Sequence, residues 1–155
     1  MSNTFLCYDM DCMRISFFKR LFFVLIQCTY GLGQTICGFV VFLIFIRKPH
    51  RIYRGCIDTM WDTCSGLSLG LFIFTPKKDF SDSQKIRVHE YGHCIQSLFL
   101  GPLYLFIGII SCTWAGLPYF VKMRREKKIP YTKCFVEHWA SSWGEWVTGE
   151  DAIWD

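Results

Sequence analysis

Ser81-Asp82-Ser83-Gln84-Lys85-Ile86-Arg87-Val88-His89-Glu90-Tyr91-Gly92-His93-Cys94-Ile95-Gln96-Ser97-Leu98-Phe99-Leu100-Gly101-Pro102 is the stretch on which the reading of this chain turns. It opens with Ser81 and Gln84, the spacing of a capping box, which marks a helix start. The helix is expected over residues 82–100. Gly101-Pro102 interrupts it, because Pro102 has no N–H to give the carbonyl of Leu98. Inside lies His89-Glu90-Tyr91-Gly92-His93, an H-E-x-x-H motif. Helical residues four apart are separated by about 40° around the axis, so His89 and His93 face the same way. Two imidazoles so placed can bind one Zn²⁺ at about 2.0–2.1 Å each. Glu90 projects from the adjacent position, where it can act as general base toward a water on the metal.

A catalytic zinc needs a third protein ligand and an open position. Glu137 is the first choice. Ala140, Ser141 and Gly144 lie on its face of a helix expected over residues 134–146, and three small residues beside one carboxylate let that helix approach another closely. Ser141, one turn on, could hydrogen-bond a ligand from behind. His138 is the runner-up ligand, with Glu145 and Asp62 as further candidates.

Outward from the motif, an uncharged run covers residues 94–121 and reads as a transmembrane segment kinked at Pro102. It makes residues 82–121 one H-E-x-x-H helix continuing into a span. A second uncharged run, residues 21–46, is long enough to cross a ~30 Å hydrocarbon core. Gln27, Gln34, Gly31, Gly33 and Gly38 interrupt it. It reads as one tilted transmembrane helix with a small-residue packing face, the alternative being a re-entrant pair broken at Gly31-Leu32-Gly33. The run is too long for a cleaved signal peptide, and no small-x-small site follows it. Between the runs, residues 67–74 alternate in strand fashion, and residues 52–60 are a candidate partner, giving a β-hairpin over residues 51–75. The free edge of such a strand could take an extended peptide beside the metal.

Composition agrees with this plan. The 155 residues suit one domain, and 52% are hydrophobic and 19% charged, below the ~25% charged of a typical soluble domain. Fifteen Phe, 7 Tyr and 6 Trp exclude a disordered chain. Nine Cys, an odd number without C-x-x-C spacing, argue for free thiols rather than a disulfide scaffold. The net charge of +4 comes from 17 Lys and Arg against 13 Asp and Glu. These cations flank the apolar runs, most densely at residues 122–128, and form no stripe for nucleic acid. They divide almost evenly between the two ends and the central segment, so they do not orient the chain in a bilayer.

Residues 66–70, 89–97 and 100–105, together with Tyr30-Gly31-Leu32-Gly33-Gln34-Thr35, Gly38 and Glu137-His138-Trp139-Ala140, resemble a family of small bacterial integral-membrane H-E-x-x-H metallopeptidase-like proteins. The likeness covers about residues 25–145. It implies zinc ligands at His89, His93 and Glu137, a catalytic Glu90, and the bacterial inner (cytoplasmic) membrane. One departure is Ser141, where the resemblance leads one to expect Asn or Asp. Site-2 proteases share the membrane setting but take an Asp as third ligand, and no counterpart of that Asp motif is found.

The expectation is therefore a mainly α membrane protein: residues 1–155 as a single domain, with two transmembrane helices, a small β-hairpin, and a short C-terminal helix carrying the third metal ligand. The expected function is zinc-dependent hydrolysis of peptide bonds near the membrane interface. Its partners would be the lipid bilayer, a peptide or membrane-protein substrate, and a membrane protein partner, with no nucleic acid. The alternative is a non-catalytic zinc-binding scaffold or partner subunit of an export or peptide-maturation system.

Overall fold

A computed structural model of the chain describes residues 17–77 and 80–154. Six α-helices and four strands follow in the order α1 (Phe17–Thr29), α2 (Leu32–Ile44), β1 (His50–Tyr53), β2 (Cys56–Trp61), β3 (Leu67–Leu69), β4 (Phe72–Pro76), α3 (Ser83–Leu100), α4 (Tyr104–Gly116), α5 (Pro118–Lys127) and α6 (Phe135–Thr148). Single 3₁₀ turns at Gly101–Leu103 and Tyr131–Lys133 join α3 to α4 and lead into α6. The polar start of the chain lies largely outside the described residues.

The run over residues 21–46 is not one tilted helix. It folds as α1 and α2, bent by 94° at their junction, which corresponds to the broken-pair alternative. Its polar residues give the cause. Gln27 is fully buried, and its side-chain amide donates to the Cys94 carbonyl at 3.1 Å and to Ser97 Oγ at 2.6 Å. Thr35 Oγ1 then donates back to the Gln27 carbonyl at 2.9 Å. A straight helix would carry Thr35, beyond the corner, away from the Gln27 carbonyl, and buried polar groups need partners. Gly31 marks the corner, where a Cβ would stand 2.4 Å from the Gln27 side-chain oxygen.

The sheet is larger than the expected hairpin over residues 51–75. It has four strands in the order β1-β2-β4-β3, made of two antiparallel hairpins joined by the parallel pair β2–β4, in register Ile57 with Phe72. Residues 67–74, expected as one strand, are cut by Gly70 and Leu71 into β3 and β4. Gly70 at φ 62 makes this a two-residue turn of the II′ kind. Arg54 and Gly55, at φ 49 and 98, make the other turn of the I′ kind. Helices cover both sheet faces. Phe42 of α2 and Phe45 just past its end pack on Phe72 and Phe74. On the other face Ile73, Tyr53 and Cys56 join Tyr91, Cys94 and Ile95 of α3 in one core with Phe23. Every residue of β4 is buried as a result.

α3 begins at Ser83 as expected, but the capping box does not close. Asp82 precedes the helix without a side-chain cap. Gln84 is drawn instead to Glu150 and Arg87, so it is unavailable for the reciprocal bond. Arg87, itself buried, ties α3 to the sheet through Asp58 at 3.0 Å, and Asp58 is held in turn by Arg51 and Thr75. Residues Ser83–Gly116 form a run long and apolar enough to cross a bilayer. Its first half, α3, is enclosed by β4, α6 and α1. Its second half, α4, exposes Leu105, Phe106, Ile109 and Ile110, and only Tyr104 is buried. At the joint, Gly101 adopts φ 51, and a Cβ there would lie 2.2 Å from the ring of Tyr30. The breaks of the two helix pairs thus rest on each other. Cys56 and Cys94 are buried free thiols, and the other described cysteines are free as well.

Candidate metal centre

Two glycines allow α3 and α6 to meet at near-contact distance. A Cβ on Gly92 would stand 1.8 Å from the Ala140 carbonyl oxygen, and one on Gly144 would stand 2.3 Å from the Val88 carbonyl oxygen. Any side chain at either position would force the helices apart. The small face of α6 anticipated around Ala140, Ser141 and Gly144 is therefore the packing face, and Glu137 rides on it into the core. His89, His93 and Glu137 come together fully buried, with one potential ligand atom from each lying within 4.8 Å of the others. Together they could hold a metal ion.

Hydrogen bonds behind the two imidazoles fix which nitrogen faces the centre. Ser141 Oγ donates to the Ile153 carbonyl at 2.7 Å, so toward His89 Nδ1, 2.9 Å away, it can only accept. Gln96 Nε2 donates to the Val136 carbonyl at 2.9 Å, which turns Gln96 Oε1 as an acceptor toward His93 Nδ1 at 2.8 Å. Both Nδ1 atoms therefore carry hydrogen. Both Nε2 atoms point at Glu137 Oε2, at 3.1 and 3.4 Å. Such outer partners orient metal-binding histidines and raise their basicity.

Burial alone would raise the pKa of Glu137. Where the imidazoles are protonated, their hydrogen bonds and positive charge outweigh it and hold the carboxyl well below the usual carboxylate range. Its second oxygen, Oε1, is buried with no hydrogen-bond partner. Where the imidazoles are neutral, their two Nε2 lone pairs face an ionised oxygen and repel it unless a cation stands among them. A proton can bridge one pair, whereas a divalent ion satisfies all three groups and the orphaned oxygen. The donor set of two nitrogens and one carboxylate suits a metal of the zinc type.

Glu90 lies beside this group. Its carboxylate fills the space where Gly66 lacks a side chain, since a Cβ there would lie 2.1 Å from Oε1. Glu90 and His93 line a cavity of about 530 Å³ between the β3 edge and α4. The other ligand candidates stand elsewhere. His138 is exposed, with its ring 5.2 Å from that of Trp154. Glu145 accepts from the Ala152 N–H and Trp154 Nε1. Asp62 pairs with Lys48 and Lys77 on the surface.

Sequence reading missed Gln96 and Tyr131. Gln96 sits three residues after His93, on the same helical face, which is a usable signal. Tyr131 has no such signal, because a chain turn brings it in. Its ring lies 6.4 Å from that of His89 and lines the cavity. The Arg124 guanidinium stacks on it at 5.1 Å. Burial and the Glu137 charge push its phenol up, so it stays protonated. Ser141 was legible as a support for a ligand, although the resemblance favours Asn or Asp there.

No protein-family model, curated protein or solved structure matches the chain. The site is read from its own geometry.

Proposed function

We propose that the chain is a zinc-dependent metallopeptidase of the bacterial inner membrane, hydrolysing peptide bonds near the membrane interface. The observation that carries this reading is the His89, His93 and Glu137 group, with His93 and a general-base candidate, Glu90, at the wall of one cavity. A zinc ion held by the three ligands would supply positive charge to polarise a substrate carbonyl and acidify water.

The chain's own residues supply the rest. Glu90 takes a proton from water and returns it to the departing amine. Ser141 and Gln96 hold the two imidazoles in the tautomers described. The sheet offers β3 as its end strand, with residues 66–69 against the cavity. A two-residue turn closes on the bonded pair Leu69 and Phe72, and bonded pairs alternate along the hairpin. Ser68, buried but lining the cavity, therefore turns its backbone N–H and C=O away from β4, where an extended peptide can add as a further strand.

The exposed apolar faces of α1, α2 and α4 support the lipid bilayer as a partner. The bend between α1 and α2 fits a re-entrant element better than a second straight span. The scaffold reading requires a closed site with a fourth protein ligand. Among the described residues the group has three, and His138 points to Trp154 instead.

The test is elemental analysis of the detergent-purified chain beside a protease assay on fluorescent casein. About one zinc per chain, lost in His93→Ala and Glu137→Ala, is expected, with Glu90→Gln keeping zinc and losing cleavage. Full cleavage by Glu90→Gln would sink the mechanism.

A further inference from the structure

The same cavity has a chemistry of its own beyond the reacting groups. Among the residues that line it, Glu90 is the only Asp, Glu, Lys or Arg. The other wall is α4, which contributes Leu105, Gly108, Ile109 and Gly116, followed by Leu117 just past its end. A Cβ built on Gly108 meets no atom within 4 Å, so the wall is notched there. The outer face of the same helix is apolar and exposed at Phe106 and Ile110. The volume of about 530 Å³ falls among small-ligand pockets of roughly 300–1,000 Å³. The three residues of β3 span about 10 Å, enough for three or four extended residues of a partner strand.

We infer that the cavity selects an extended peptide segment without charged side chains, its backbone on Ser68 and its apolar side chains against the α4 wall at the Gly108 notch. This rests on the peptidase reading above and names its substrate class. A charged side chain entering here would leave water for a cavity whose lining, apart from the metal centre, holds only one Asp, Glu, Lys or Arg, Glu90. A Glu or a Lys is disfavoured by burial in this apolar cavity, a cost that does not depend on Glu90.

The experiment uses full-length protein in detergent, zinc-loaded and carrying Glu90→Gln, with capped hexapeptides of alternating Ala and Leu. Two further peptides replace the central Leu by Lys or Glu. Hydrogen exchange should show the Ala-Leu peptide protecting residues 66–69. The charged peptides should bind about 100-fold more weakly, the scale of burying one unpaired charge. Gly108→Leu, which fills the notch from an open position, should abolish that protection while zinc content and α3 exchange stay unchanged. Equal binding of the charged peptides, no protection by the apolar one, or protection that survives Gly108→Leu overturns the inference. A parallel cleavage assay on the wild-type chain separates the two claims. Docking as described without Glu90-dependent cleavage removes the peptidase reading and keeps the cavity's preference. Glu90-dependent cleavage indifferent to charge and to Gly108 does the reverse.

Discussion

α3 and α4 are two halves of one apolar run, yet they live in opposite surroundings. α3 carries Arg87, His89, Glu90, His93, Gln96 and Ser97, and all of them are buried. α4 is almost wholly apolar and is mostly exposed. The difference teaches that hydropathy reports composition and not environment. A helix can hold ionisable groups in its interior-facing turns when its own residues and the neighbouring elements supply partners, as Gln96 and Glu137 do for His93 and Gln84 and Asp58 do for Arg87. A helix without such groups can be left for a different solvent to cover.

The largest expected effect is at the tightest contact of the enclosed half. Gly92→Leu must drive α6 away from α3, and a loss on the order of 3 kcal/mol is expected, together with loss of metal. Thermal melts and zinc content would read both. The matching change in the open half, Gly108→Ala, should be neutral or stabilising by about 0.5–1 kcal/mol, because the Cβ enters open space in a helix. If the two substitutions cost the same, the contrast between the halves is wrong.

Next in size come the groups behind the ligands. Gln96→Leu leaves His93 Nδ1 without this acceptor and removes a bond to the Val136 carbonyl, and metal affinity should fall about 10–100-fold by competition with a chelator. Ser141→Ala removes one partner of His89 and should fall in the lower part of that range. Retention of full affinity in both would mean that the tautomers are not set from behind. Phe106→Gln, on the open face of α4, should change the melting temperature in detergent by the equivalent of under about 0.5 kcal/mol, yet reduce recovery in reconstituted bilayers. Equal recovery would remove lipid as the covering of that face.

The smallest effect concerns Asp62. Its pairing with Lys48 and Lys77 lowers its carboxyl from 3.8 to about 2. A folded-state pKa below the unfolded one gives stability that is present above the ordinary value and lost as pH falls through about 2. The pair is exposed, so the slope is shallow. Melts from pH 5 to pH 2 should show slightly less acid sensitivity in Asp62→Asn than in the wild type. Identical profiles would assign the ion pairs no energetic role.

Legibility in the sequence followed the same contrast. The helix over residues 82–100, its interruption at Gly101-Pro102, and Glu137 on a small-residue face all follow from short-range rules of spacing and volume. The bend at Gly31 does not, because its cause is the distance from Gln27 to Ser97, seventy residues later. The splitting of residues 67–74 was readable only as alternation. Gly70 was the one clue, and its turn displaced a strand that period alone would have continued. The capping box failed because Gln84 found Glu150, a partner no local pattern shows. Tyr131 arrives at the cavity by a chain reversal, and nothing near it in sequence announces the role.

The seat of Tyr30 on Gly101 has a mechanical consequence. Two elbows that press on one another cannot open separately, so the angle between α1 and α2 is tied to the angle between α3 and α4. α2 is the arm that reaches over the sheet, where Gly38 lies against the Leu69 carbonyl. A push on α4 from the surrounding medium is therefore delivered, through one aromatic ring and one bare glycine, to the strand that borders the cavity. One arm of the joint lies in the exposed α4, and the other, α2, meets the sheet at Leu69.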